Sequence, residues 1–282
     1  MLACTACVLA LVPGADAGAV GTPHLVADIS PVNLPSSPHD LVNVNGTLFF
    51  AADDGVHGVE LWKSDGTFAG TTLVRDIDPG SASSSPDGIA SMGGSVFFAA
   101  NDGVAGRELW KSDGTGAGTV LVKDVDPGAA SSNPLSLTTV GSLVFFSADD
   151  GTDGTEVWKS DGTTAGTSIT TNVATGPRNA RPNFLVSFAG ELFFAASDAT
   201  NGRELWKTDG IGTHTLRLEI NPGLPSSSPS GLTVFGTKLF FGATDGSGGR
   251  ELWSTDGTTT TLVKVIQTGS GSSSPQGFAE EG

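Results

Sequence analysis

Short apolar runs of strand length, each followed by a turn signal, recur along the chain. Residues 88–135 show the whole pattern. Gly93-Gly94 separates two apolar runs, and Val96-Phe97-Phe98-Ala99-Ala100 is continuous, which predicts a strand covered on both faces. Asn101-Asp102-Gly103 marks a hairpin turn before Glu108-Leu109-Trp110-Lys111, which alternates as a strand does. Asp113-Gly114-Thr115 turns the chain again, and Val120 to Val125 is rich in β-branched residues, as a fourth strand would be. Asp126-Pro127-Gly128 and a Ser-rich tract lead into the next copy. No stretch has a convincing 3.6-residue apolar period, so no helix is predicted.

The pattern is periodic. The five tryptophans of the chain stand at 62, 110, 158, 206 and 253, so the steps are 48, 48, 48 and 47 residues. Each sits in one phrase: ELWKSDGT from Glu60 and Glu108, EVWKSDGT from Glu156, ELWKTDG from Glu204 and ELWSTDGT from Glu251. A repeat of this length signals a solenoid, a propeller or an array. A four-stranded sheet this small cannot bury both faces alone, whereas sheets stacked around an axis cover one another. The expected fold is therefore all-β, a β-propeller of four-stranded repeats of about 48 residues, with a β-solenoid as the rival. The loop between third and fourth strands is two residues shorter after Asp256 than after Asp113, as an exposed loop tolerates.

The organisation read from this period is a signal-like segment at 1–17, a partial repeat at 18–39, and repeats at 40–87, 88–135, 136–183, 184–230 and 231–276. Residues 277–282 open a sixth unit. Leu25-Val26-Ala27-Asp28-Ile29 matches the fourth strand of a unit without its first three. This points either to a piece of a longer array or to a five-bladed ring closed by that strand.

The phrase Glu-Leu-Trp-x-x-Asp-Gly-Thr, the LVKDxxPG-like strand ends and the SSSP links resemble the ELWxxDGT repeat family of secreted bacterial proteins, some of them described as hyalin-like. The resemblance covers Leu25 to Phe278, with departures at Val157, Ile211, Thr175-Gly176-Pro177 and Thr268-Gly269. It implies secretion and a propeller-like array, and no known chemistry.

Composition narrows the partners. A formal charge of −16 argues against nucleic acid and anionic lipid. The apolar run in 1–17 ends in Ala15-Asp16-Ala17, like a secretory cleavage site, and is too short to span a bilayer. Both cysteines, Cys4 and Cys7, lie inside it, so disulfides and thiolate sites are excluded from the remainder. The expectation is a secreted or surface monomer that inserts in no membrane, with an unknown protein or glycan as partner.

Trp62, Trp110, Trp158, Trp206 and Trp253 read as the packed core of each repeat. Glu60, Glu108, Glu156, Glu204 and Glu251 share a strand face with them and need a partner there. The lysine after each tryptophan points the other way and is Ser254 in the fifth unit, so backbone N–H groups of a neighbouring turn are the better partners. Contact with a cation or ligand is the alternative for these glutamates. The Asp-Gly turns offer oxygens for calcium, yet Asp and Gly are also what tight turns need, and the Asp-x-Asp pairs decay along the chain; no cofactor is expected. Arg178 and Arg181 form a local basic exception, suited to a carboxylate or acidic glycan. His24, His39, His57 and His214 share no repeated register, and no catalytic motif occurs. The expected function is a non-catalytic interaction or scaffold module and not an enzyme. The alternatives are a multivalent lectin and a polysaccharide-active hydrolase or lyase.

Overall fold

The computed structural model describes residues 23–277 other than 33, 172, 175–178, 212–214, 224, 270 and 276. The signal-like segment, Arg178 and His214 lie outside the described residues. The chain divides into two compact units, Met1–Pro134 and Leu135–Gly282.

The first unit holds two sheets. Sheet 1 is β1 (His39–Val44), β2 (Thr47–Asp53), β3 (Val59–Ser64) and β4 (Thr72–Arg75); sheet 2 is β5 (Asp87–Met92), β6 (Ser95–Asn101), β7 (Arg107–Ser112) and β8 (Val120–Lys123). The second unit holds three. Sheet 3 is β9 (Leu135–Val140), β10 (Leu143–Asp149), β11 (Thr155–Ser160) and β12 (Ser168–Thr171). Sheet 4 is β13 (Asn183–Phe188), β14 (Glu191–Asp198), β15 (Gly202–Thr208) and β16 (Thr215–Leu218). Sheet 5 is β17 (Ser230–Phe235), β18 (Lys238–Ala243), β19 (Glu251–Thr255) and β20 (Thr260–Lys264). Every sheet is an antiparallel meander in chain order. The tryptophan stands opposite the second Phe of the Phe-Phe pair, as in Phe98↔Trp110.

Within each unit, successive sheets pack face to face. Val44, Phe49, Leu61, Val74 and Ile77 of sheet 1 and its link meet Val96, Phe98, Ala100 and Trp110 of sheet 2. The same positions recur where Val140, Phe145, Val157 and Val173 meet Leu192, Phe194, Ala196 and Trp206. They recur again where Phe188, Phe193, Leu205 and Ile220 meet Leu239, Phe241, Ala243 and Trp253. The second strand is a continuous apolar run because it contributes to both faces. In sheet 5 the equivalent outward positions are bare: Phe235, Val263 and Ile266 are 55, 46 and 58 % exposed.

Two details differ from the sequence reading. Leu25 to Ile29 form no strand. A fourth strand needs a third to ladder with, and none is described beside it, although Ile29 packs on Phe50, Ala52 and Trp62. The first strands β1, β5, β9, β13 and β17 also start one residue before the expected boundaries. In sheet 2 that residue, Asp87, pairs with Ala99 across a bulge.

The bulge demands positive φ. The position is Asp40, Gly88, Ser136, Phe184 and Gly231 in the five sheets, with φ of 53, 64, 56, 55 and 64°. A large side chain is strained there, while Phe184 at 36 % exposure still buries much of its ring. Phe184→Gly is expected to change stability by less than about 1 kcal/mol in urea denaturation, because relieved backbone strain offsets the lost ring burial; a loss of about 2 kcal/mol or more would show that the ring matters more than the backbone.

Candidate functional site

The repeated phrase has a structural role for nearly every letter. Ser64 Oγ accepts the Gly66 N–H at 3.1 Å and lies 2.8 Å from Thr71 Oγ1. Asp65 Oδ1 accepts both the N–H and the hydroxyl of Thr67, at 2.9 and 2.7 Å. Gly70 follows because a Cβ there would lie 1.9 Å from that Oδ1. Lys63, on the opposite face from Trp62, donates to the Gly114 carbonyl of the next sheet's turn at 2.8 Å. Lys159 does the same to Gly210. Lys63 and Lys159 thus tie neighbouring copies of the motif, whereas Lys207 pairs with Glu191 of its own sheet at 2.7 Å, roles that sequence reading did not find.

The five glutamates are buried. Glu108 Oε2 accepts the Val125 N–H at 2.9 Å and the Ser132 hydroxyl at 2.6 Å, while Oε1 accepts the Ser132 N–H at 2.7 Å. Glu60 repeats this with Ile77 and Ser84, and Glu204 with Ile220 and Ser227. Each carboxylate therefore clamps the third strand to the link that leaves its own sheet. The serine of the SSSP link supplies two of the three donors. A recurring Glu-to-Ser spacing, 24 residues from Glu60 to Ser84 and from Glu108 to Ser132, was the available signal.

Two sheets break the pattern. In sheet 3 the link serine is Ala180, so Glu156 has only backbone donors: Val173 N–H at 3.0 Å and Ala174 N–H at 3.1 Å. Burial pushes its pKa up to about 7, further than the backbone donors can offset. Burial also raises Glu60, Glu108 and Glu204, against the pull of their serines. In sheet 5 the Ser273 N–H goes to the Arg250 carbonyl at 3.0 Å, and Glu251 Oε1 has no partner. Glu251 lies below the usual range, held there chiefly by the Ile266 N–H.

The Glu156 shift has a defined sign. A carboxyl whose folded pKa exceeds its unfolded value binds its proton more tightly when folded. Its contribution is full below about 4.5 and is lost as pH rises through about 7. Ala180→Ser restores the missing hydroxyl, so it is expected to lower the Glu156 pKa and to flatten the fall in Tm between pH 5 and pH 8. An unchanged slope in melts across that range would contradict the assignment.

The other expected site residues do not converge. Arg181 is exposed; its carbonyl accepts from Arg203 Nη1 at 2.8 Å. Asp54, Asp102, Asp150 and Asp198 each accept two backbone N–H groups in their own hairpin turn. No group of three or more His, Cys, Asp or Glu arranged for a metal occurs among the described residues. Asp54 Oδ2 lies 2.7 Å from His57 Nδ1 and raises the imidazole pKa. Trp62, Trp110 and Trp158 are buried, while Trp206 and Trp253 are half-buried with their indole N–H groups on the carbonyls of Ala196 and Ala243.

Comparison with family models and with curated proteins finds no match. Solved structures do match. A puromycin hydrolase aligns at 14% identity with a TM-score of 0.52, over 86% of this chain and 39% of that one. A mutant puromycin hydrolase complexed with PGG aligns at 14% identity and 0.51, over 80% and 37%. The β-propeller domain of the Trilobed protease from Pyrococcus furiosus aligns at 9% identity and 0.49, over 80% and 71%. The fold is a β-propeller. Its blades are the five sheets. The chain spans about two fifths of the puromycin hydrolases it matches.

These matches correct one expectation. The chain was read as not an enzyme, and the matched puromycin hydrolases are enzymes. That expectation rested on the absence of a known catalytic motif, and the likeness found is one of structure rather than of motif. At this identity the likeness shows the fold alone and assigns no reaction. Among the described residues no helix is long and apolar enough to cross a membrane.

Proposed function

We propose that the protein is a secreted interaction module, its blades forming a scaffold that presents a surface to a protein partner outside the cell. The observation that supports this is the apolar face of blade 5. Phe235, Val263 and Ile266 occupy positions that bury against a neighbouring blade elsewhere in the chain, and here they are exposed. A row of apolar side chains left uncovered on the last described blade fits a docked strand pair, whether of a partner or of a further blade. The partner it fits presents what the next blade presents elsewhere: an aliphatic, a phenylalanine, an alanine and a tryptophan on a strand pair. Secretion rests on the composition of residues 1–17. A lectin with one stacking tryptophan per blade gains no support, because the rings of blades 1–3 are buried.

The test is binding of the labelled chain to intact bacterial cells and to a glycan array, beside the double variant V263K/I266K. Each side chain loses on the order of 1.5–3 kcal/mol of burial at a docked face. Cell binding is therefore expected to weaken at least about tenfold with the circular dichroism unchanged. Equal binding by the double variant would remove the face from the account, and binding to glycans alone would favour the lectin.

A further inference from the structure

We infer that a cleft in blade 5 binds an ammonium or guanidinium group carried on a short apolar stem, with Glu251 as its acceptor. The cleft is a shallow one of about 50 Å³ between the β18–β19 hairpin and the link after β20. Glu251, Trp253, Asp245, Leu262, Val265 and Gln267 line it.

The decisive feature is one oxygen. In blades 1, 2 and 4 the equivalent Oε1 accepts the link serine's N–H at 2.9, 2.7 and 2.8 Å. In blade 5 that N–H is diverted to the Arg250 carbonyl. Glu251 is only 5 % exposed, it lines the cleft, and its Oε1 has no hydrogen-bond donor. Its other oxygen holds the Ile266 N–H at 2.9 Å and the Ser273 hydroxyl at 2.8 Å, which keep the group ionised. An ionised, buried oxygen lacking a donor is costly, and a ligand that supplies one recovers that cost.

Charge selects the ligand class. Asp245 adds a second carboxylate, and no Lys or Arg lines the cleft. Arg250 is turned away, bonded to the carbonyls of Ser228 and Gly242. An anion is repelled, and a neutral polyol leaves the charge uncompensated. A hard metal ion needs six or more oxygens, whereas Asp245 Oδ1 is already engaged by the N–H and hydroxyl of Ser247. An organic cation satisfies Glu251, and Trp253, Leu262 and Val265 provide apolar contact for its stem. Two residues set blade 5 apart here: Gly248 stands where blades 1 and 2 have His57 and Ala105, and Val265 stands where they have Asp76 and Asp124. Naming a partner protein's Lys or Arg side chain as the natural source rests on the interaction reading above. The site itself does not.

The experiment is an NMR titration of the whole chain at constant ionic strength with butylammonium and butylguanidinium, with n-butanol and butyrate as controls. The readout is the Trp253 indole N–H, assigned by its loss in Trp253→Phe. Both cations are expected to give saturable shifts with a Kd of about 1 mM, and the controls none. Glu251→Gln is expected to weaken binding at least about tenfold. Gln267→Lys, which plugs the cleft while leaving the Ile266 and Ser273 bonds in place, is expected to abolish it. V263K/I266K is expected to titrate like the parent, so loss of the interaction face leaves this result standing. Equal shifts with n-butanol, or unchanged titrations in both Glu251→Gln and Gln267→Lys, would overturn the assignment.

Discussion

Glu108→Ala is expected to lower stability by about 3–5 kcal/mol in urea denaturation. Three donors converge on this carboxylate, all buried: the Val125 N–H, the Ser132 N–H and the Ser132 hydroxyl. Alanine leaves all three without an acceptor and opens a void between the third strand and the link. Glu60→Ala is expected to behave alike, since its three bonds are the same. Glu251→Ala is expected to cost less, because only two donors reach it and one oxygen is already idle. Equal costs at Glu108 and Glu251 would show that charge burial, not donor count, sets the energy.

Trp110→Ala is expected to cost about 3–5 kcal/mol, through lost packing and the cavity left between blades 1 and 2. The indole lies in the cluster with Val74, Ile77 and Phe98, and the Arg75 guanidinium sits 5.9 Å from its ring centre. Its Nε1–H is buried without a partner. Trp110→Phe therefore loses ring area but also removes an unsatisfied donor, and is expected to cost no more than about 1–2 kcal/mol. A phenylalanine variant as damaged as the alanine variant would mean that the indole nitrogen has a partner after all.

The meander was legible because three signals agreed at one period: the continuous Phe-Phe runs, the alternating Glu-Leu-Trp strands and the Asp-Gly turns. The need of each glutamate for backbone donors was legible from its strand face. The identity of the second donor was not, because Ser132 lies 24 residues from Glu108 and the contact forms only when the link folds back. The lysine's partner was hidden for the same reason, Gly114 lying 51 residues beyond Lys63 in a different sheet. The difference at Glu156 was readable in principle from Ala180, but only once the link serine is known to matter. The idle oxygen of Glu251 depends on where the Ser273 N–H points, which the Ser-Ser-Ser-Pro of that link does not reveal.

In blades 1, 2 and 4 the motif glutamate clamps the third strand to the link of its own blade. A double-mutant cycle of Glu108→Ala and Ser132→Ala measures that clamp directly. A buried hydrogen bond to a charged group predicts a coupling of about 1.5–3 kcal/mol between the two sites. Strict additivity of the two single variants would contradict it.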